Sequence, residues 1–77
     1  MPDPLTVVFD AFAEVMGEHA PRGADTVPAD VEMWTSLTHV YLVAEIESRL
    51  EVRLPQALIT PGAPLGAIAQ AATAAIG

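Results

Sequence analysis

Few side chains in this sequence could carry out acid–base, nucleophilic or metal chemistry. The 77 residues include two histidines, His19 and His39, and no cysteine. Ser36 precedes His39 by three residues, a spacing that places two side chains next to each other on a helix. No acidic residue is placed to orient the imidazole, and no oxyanion hole is evident. We therefore interpret His39 as a partly buried helix residue and predict that the chain is not an enzyme.

Oxygen ligands for a metal ion occur near His19 in the sequence. They are Glu18, Asp25, Asp30 and Glu32. Their spacing matches neither H-x-x-x-H nor the calcium loop of an EF-hand, and the lack of cysteine excludes disulfides and Cys-based zinc sites. The sequence therefore predicts no metal centre.

The charge balance excludes one large class of partner. Three arginines oppose ten aspartates and glutamates, and the formal net charge of −7 would repel the phosphate backbone of a nucleic acid. No apolar run reaches the roughly 18 residues of a membrane span. The start, Met1-Pro2-Asp3-Pro4, lacks the basic residues and the apolar run of a secretory signal. We expect one domain over residues 1–77, cytoplasmic and monomeric, with no nucleic-acid or membrane partner.

Apolar residues at helical spacing identify the first element of the fold. The large apolar side chains that form its stripe are Leu5, Val8, Phe9, Phe12, Val15 and Met16. Pro4 suits the first turn of a helix, and Gly17 suits its end. The pattern predicts a helix over about residues 4–16 whose stripe faces the core.

Helical periodicity disappears between Gly17 and Trp34, where glycine and proline recur. A connection longer than about 12–15 residues is uncommon in a compact domain unless it is functional or packs on itself. We expect an ordered loop with one helical turn near Asp30 to Met33. The apolar residues expected to pack this loop down are Val27, Val31, Met33 and Trp34.

A second helix should begin at two hydroxyl residues, Thr35 and Ser36, either of which can cap it. The run from Leu37 to Leu50 contains neither glycine nor proline. Its core-facing stripe comprises Leu42, Val43, Ile46 and Leu50. An adjacent apolar strip comprises Leu37, Val40, Tyr41 and Ala44. This is more apolar surface than one buried face requires, so we expect the adjacent strip to contact a partner or ligand.

The last third of the chain predicts a short helix and a long one. An extended segment before Pro55 ends the second helix. Gln56–Ile59 can form one short helix, residues 60–64 are rich in turn formers, and helical spacing returns over Leu65–Ile76. The fold prediction is an all-α, four-helix bundle with three longer helices, one short helix and a long first loop. In the last helix the predicted core residues are Leu65, Ile68 and Ala72.

The segment around Ser36 resembles the attachment site of a known protein family. Residues 34–47 read WTSLTHVYLVAEIE. Acyl and peptidyl carrier proteins usually have Asp-Ser-Leu at the start of their second helix, followed by an apolar and acidic helix. Ser36-Leu37 and Ile46-Glu47 match that pattern. The resemblance covers nearly the whole chain, because its length, its acidity, its long first loop and the order of its helices also agree.

The resemblance implies a freestanding carrier protein. Ser36 would bear a covalent 4′-phosphopantetheine arm, attached by a phosphopantetheinyl transferase. The thiol of that arm would hold acyl or aminoacyl groups as thioesters for loading and condensing enzymes. The residues expected to contact these partners are Thr35, Leu37, Val40, Tyr41, Ala44, Glu45 and Glu47. Thr35 stands where the family usually has an aspartate, whose carboxylate would help to engage the transferase.

The residues of the second helix also bear on the type of carrier. Positions that are often acidic in fatty-acid carriers are Thr38, Tyr41 and Ser48 here, with Arg49 close behind. The segment is more similar to carriers of polyketide and nonribosomal peptide biosynthesis. The alternative function is a noncatalytic helical module that binds another protein and lacks the prosthetic group. Thr35 and the surplus apolar strip would favour this alternative.

Overall fold

A computed structural model describes residues 3–55 and 62–76 of this protein, and within these ranges it has three α-helices and two short 3₁₀ turns. In chain order they are α1 (Pro4–Met16), the 3₁₀ turns Gly23–Asp25 and Pro28–Asp30, α2 (Ser36–Leu50) and α3 (Leu65–Ile76). No strand occurs within these described ranges, and the all-α prediction is confirmed. The short helix predicted at Gln56–Ile59 lies outside the described residues, so the fourth helix stays a prediction.

The ends of α1 are set by local capping. Asp3 Oδ1 accepts the Leu5 N–H at 3.2 Å, and Pro4 occupies the first turn, where its missing N–H costs nothing. Gly17 adopts the left-handed conformation with a φ of 78° and donates its N–H to the Ala13 carbonyl at 2.9 Å. The bounds predicted from the sequence are therefore confirmed.

The buried face of α1 is rotated from the predicted stripe. Leu5 is 38% exposed, and Phe9 and Val15 are only partly buried. The residues of this helix that are buried are Val7, Val8, Ala11, Phe12 and Met16. The helix packs against both α2 and α3. A small residue such as Ala11 fits an interface of this kind, but a pattern built from large side chains overlooks it.

The long first loop is fixed at its middle by Thr26. This residue is fully buried, its hydroxyl accepts the Arg22 N–H at 2.9 Å, and its carbonyl accepts the Leu65 N–H at 2.8 Å. Close by, a Cβ added at Gly66 would lie 3.0 Å from the carbonyl oxygen of Ala24. The loop therefore packs on the first turn of α3 with no room for a side chain at that glycine.

The helical turn predicted near Asp30 to Met33 forms earlier, from Pro28 to Asp30. Pro28 fixes the backbone at the first position of the turn, and Asp30 Oδ2 accepts the Val27 N–H at 3.1 Å. The prediction that Met33 packs the loop down is wrong, because its side chain is 52% exposed. Val31 and Trp34, two of the other residues predicted to pack the loop, do enter the core.

A buried aromatic cluster joins the end of the loop to α1 and α2. Trp34 is 3% exposed and lies edge-on to Phe12, with ring centroids 5.3 Å apart. Its indole N–H donates to Nδ1 of His39 at 2.9 Å, and the two rings stack with centroids 6.0 Å apart. His39 is 2% exposed, so the prediction of a partly buried residue is too weak. Full burial is possible because the indole satisfies Nδ1.

The core-facing stripe of α2 is confirmed, with one residue at its margin. Leu42, Val43 and Ile46 are buried, and Leu50 packs against the core from a partly buried position. The helix ends at Glu51, which adopts the left-handed conformation with a φ of 54°. The N–H groups of Glu51 and Val52 both donate to the Glu47 carbonyl, that of Val52 at 3.2 Å, and these bonds close the last turn of the helix.

The core lies where the three helices meet. In α3 all three predicted core residues are buried, together with Ala69. From the loop, Val31 joins Trp34 in the same cluster. The small alanines of α3 combine strong helix propensity with a thin profile, which suits a helix that packs against both α1 and the loop.

Removing the His39 imidazole should destabilise the fold, because the buried indole N–H of Trp34 loses its acceptor. We expect His39→Ala to lower the free energy of unfolding by about 1–3 kcal/mol from the unsatisfied donor alone, before any cavity cost. Tyr41→Ala, on the exposed side of the same helix, should change it by less than about 0.5 kcal/mol. Urea unfolding followed by circular dichroism measures both.

A double-mutant cycle separates the hydrogen bond from the packing of the two rings. His39→Leu should cost less stability in a Trp34→Phe background, which has no indole donor, than in the unmodified chain. Equal costs in the two backgrounds would contradict the role assigned to this bond.

Candidate functional site

Ser36 is the first residue of α2, and its side chain is exposed. The capping role belongs to its neighbour, because Thr35 Oγ1 accepts the Thr38 N–H at 3.3 Å. Among the described residues the Ser36 hydroxyl makes no hydrogen bond. A serine at a helix start is usually the cap itself. Here the hydroxyl is instead presented to solvent beside a helix that is already capped.

The hydroxyl of Thr38 holds the start of α2 in place. It accepts the Thr35 N–H at 2.7 Å, which completes a reciprocal capping box. It also donates to the Met33 carbonyl at 2.5 Å. Because one side chain ties the residues on both sides of Trp34 to the first turn, the backbone that leads into Ser36 has a fixed path.

The backbone near Ser36 provides a positive potential. The N–H groups of Ser36 and Leu37 have no hydrogen-bond partner in the described part of the chain, whereas the His39 N–H donates to the Thr35 carbonyl at 2.8 Å as the first bond of the helix. Unpaired N–H groups and the helix dipole both favour a negative group at this end. A phosphate ester on Ser36 would suit this electrostatic environment.

Large exposed apolar side chains cluster beside Ser36. Their exposed fractions are 62% for Leu37, 46% for Val40, 56% for Tyr41 and 52% for Met33. Ala44 is exposed on the same helix face. We call these five residues the apolar patch. Four of them form the adjacent strip predicted from the sequence, and their exposure agrees with that prediction. Met33 is an addition: its backbone carbonyl accepts from Thr38 Oγ1 at the first turn of α2, and its side chain is exposed.

Two carboxylates predicted to meet partners have bonds within the chain. Glu45 Oε1 accepts from Arg49 Nε at 2.8 Å, and Arg49 also pairs with Glu14 of α1. The side-chain hydrogen bond to Glu45 is the main cause that raises the pKa of Arg49 above its ordinary value. Glu47 Oε2 accepts the Leu54 N–H at 2.8 Å and thereby anchors the segment after α2.

Other features of the surface lie away from Ser36. A groove of about 380 Å³ lies between α1, the first loop and α3. Its lining residues are Leu5, Ala24, Gly66, Ala69, Gln70 and Thr73. Across residues 3–55 and 62–76 no three metal-ligating side chains come together. Within the same ranges no helix has both the length and the apolar character needed to cross a bilayer.

Sequence reasoning missed two residues of this site. Thr38 follows Thr35 at the capping-box spacing, so a search for that pattern that allowed a hydroxyl at the third position would have found it. Met33 gives no comparable signal, because an apolar residue next to a tryptophan is as readily assigned to the core.

Comparisons of this protein with protein-family models, with curated proteins and with solved structures find no match. The interpretation of the site therefore depends on its own residues.

Two alanine substitutions distinguish the capping residue from its neighbour. Thr35→Ala should lower the free energy of unfolding by about 0.5–2 kcal/mol, because it removes the oxygen that accepts the Thr38 N–H. Ser36→Ala should change it by less than about 0.5 kcal/mol, since its hydroxyl stabilises nothing in the fold. Thermal unfolding of both variants tests the assignment, and a larger loss for Ser36→Ala would reverse it.

Proposed function

We propose that this protein is a carrier that bears 4′-phosphopantetheine on Ser36 and holds acyl or aminoacyl groups as thioesters. The observation that carries the proposal is the release of the Ser36 hydroxyl from capping, which leaves an exposed nucleophile at a helix N-terminus. The unpaired N–H groups beside it suit the phosphodiester that attachment would form. The resemblance of residues 34–47 to carrier proteins supports the same assignment.

In the attachment step the Ser36 oxygen would attack the phosphate of coenzyme A that carries the pantetheine arm. A new P–O bond forms to serine, the bond to the nucleotide phosphate breaks, and the nucleotide leaves with the electron pair. The serine proton must pass to a base of the transferase. Within this chain His39 is buried, and its Nδ1 is occupied by the Trp34 indole, so it is not suited to that task. The carrier is accordingly proposed to have no enzymatic activity of its own.

Once bound, the arm would supply the thiol that forms the thioester, and the protein would supply position and recognition. Thr35 and Thr38 fix the backbone at Ser36, and the apolar patch offers a surface for the enzymes that load and condense the cargo. The scarcity of acidic residues on α2 supports a carrier of polyketide or nonribosomal peptide synthesis over a fatty-acid carrier. We place this activity in the cytoplasm and expect the carrier to be a monomer.

The apolar patch also favours a second candidate function. A helical module that binds another protein through Met33, Leu37, Val40 and Tyr41 would need the same exposed surface but no prosthetic group. Thr35 in place of the usual aspartate is compatible with this alternative. The two functions differ in one measurable property, the covalent modification of Ser36.

Intact-protein mass spectrometry tests the modification. Co-expression with a broad-specificity phosphopantetheinyl transferase should add one phosphopantetheine to the unmodified chain and none to Ser36→Ala. Ser48→Ala is the matched control, because Ser48 is an exposed serine on the same helix and its loss should leave loading unchanged. Failure to load the unmodified chain with this enzyme and with one of the fatty-acid-synthase type would favour the interaction module.

Replacing Thr35 by aspartate should affect loading more than folding. Both residues cap well, and aspartate adds only about 0.3–1 kcal/mol from the helix dipole. A transferase that grips this carboxylate with a basic side chain gains about 1.5–3 kcal/mol, which corresponds to a roughly tenfold to hundredfold higher kcat/KM. We expect Thr35→Asp to speed loading by a fatty-acid-type transferase more than by a broad-specificity one. Equal kcat/KM values for the two proteins would show that Thr35 is only a cap.

A further inference from the structure

The Ser36 hydroxyl has no bond of its own that fixes its position. Its side chain is exposed, and among the described residues the hydroxyl makes no hydrogen bond. The place of the oxygen is therefore set by the backbone at Ser36 and by one side-chain torsion, which has three staggered positions. Any group that holds this backbone also positions the oxygen for reaction.

Two neighbouring residues of α2 hold the segment that precedes the serine. Inside the core, His39 Nδ1 accepts the Trp34 indole N–H at 2.9 Å. Toward the surface, Thr38 Oγ1 accepts the Thr35 N–H at 2.7 Å and donates to the Met33 carbonyl at 2.5 Å. The two rings are buried, whereas Thr38 is partly exposed. The outer bonds can therefore be removed without opening the core.

The surroundings of the Thr38 hydroxyl determine its direction. Two carbonyl oxygens lie within reach of its single proton, that of Met33 at 2.5 Å and that of Thr35 at 3.2 Å. The Thr35 carbonyl is farther away and already accepts the His39 N–H at 2.8 Å, so the proton belongs to the shorter bond. A lone pair of the same oxygen takes the Thr35 N–H. A hydroxyl can donate and accept in this way, whereas a carboxylate can only accept and a methyl group does neither.

We infer that Thr38 is a positioning residue for the modification of Ser36, because its hydroxyl holds the backbone that carries the serine oxygen. The inference rests on the proposed function, since the reaction is the proposed transfer of phosphopantetheine. In that transfer a P–O bond to serine forms, the bond to the nucleotide phosphate breaks with its electron pair, and the serine proton passes to a base of the transferase. The attacking and leaving oxygens must lie roughly in line. Thr38 touches none of the reacting atoms, and its effect is to restrict the nucleophile, which speeds the chemical step.

Single-turnover loading by a purified broad-specificity phosphopantetheinyl transferase, with coenzyme A, tests the inference. Thr38→Val replaces the hydroxyl by a methyl group and should lower the rate at saturating transferase by about tenfold. The transferase concentration that gives half of this rate should change by less than about twofold, since the nucleophile rather than binding is affected. Thr38→Ser restores the hydroxyl and should restore the rate. Thr73→Val is the matched control, because it removes a hydroxyl that donates to the Ala69 carbonyl at 2.9 Å in α3, and it should load normally.

Amide exchange followed by nuclear magnetic resonance gives a readout that is independent of the transferase. In Thr38→Val the Thr35 N–H retains only its 3.1 Å bond to the Met33 carbonyl, so it should exchange about tenfold faster than in the unmodified chain. In Thr38→Ser its protection should return. The indole N–H of Trp34 should stay protected in both variants, which verifies that the core remains closed.

Thr38→Asp separates the donated bond from the accepted one. Its carboxylate can accept the Thr35 N–H and suits the first turn of a helix, so this variant should fold, but it cannot donate to the Met33 carbonyl. At saturating transferase it should load more slowly than Thr38→Ser. Any new attraction between the carboxylate and the transferase would act on binding and would not raise this saturated rate.

The outcomes distinguish this inference from the proposal on which it rests. If the unmodified chain is not loaded, both fail. If it is loaded and Thr38→Val reaches the same saturated rate, only the positioning role is overturned. A Thr38→Ser variant as slow as Thr38→Val, or a Thr38→Asp variant as fast as Thr38→Ser, would overturn it equally, because the donated hydroxyl bond would then not control the rate.

Discussion

The buried hydrogen bond between Trp34 and His39 fixes how the first loop, α1 and α2 fit together. An indole N–H can only donate, and inside a core it requires an acceptor. His39 Nδ1 provides one at 2.9 Å, while Phe12 holds the same indole edge-on from α1. With Trp34 and His39 both inside, the first turn of α2 has one permitted orientation. Ser36 lies between them in sequence and faces solvent.

That orientation also decides which side of α2 is exposed. At 3.6 residues per turn, a buried His39 places Leu42 and Ile46 toward the core and Leu37 and Tyr41 on the opposite side. The Thr35–Thr38 box then satisfies the start of the helix without using Ser36. Separate residues therefore anchor α2 in the core, cap its start and present a hydroxyl to solvent. They are His39, Thr35 and Ser36.

Charge and apolar surface are divided between different parts of the molecule. Most of the excess acid lies on α1 and the first loop, while α2 uses its carboxylates to bind Arg49 and the Leu54 N–H. Long-range attraction of a basic partner and short-range contact with its docking surface would therefore involve different elements. The net charge of the chain bears on the long-range attraction and gives no information about the contact surface.

Elements that depend on local interactions were predictable from the amino-acid sequence. The bounds of α1, the start of α2 at Thr35 or Ser36 and the extent of α3 follow from apolar spacing, from Pro4 in the first turn and from Gly17 as a stop. The structure decided that Thr35 is the cap of α2. The exposed strip of α2 was predictable for the same reason. Tertiary structure alone decided the burial of His39, the exposure of Met33 and the rotation of α1. A side chain is buried only when residues from distant parts of the chain leave room for it. A polar side chain also needs a hydrogen-bond partner there. The pairing of Arg49 with Glu14, 35 residues away, is likewise a contact that no local pattern contains.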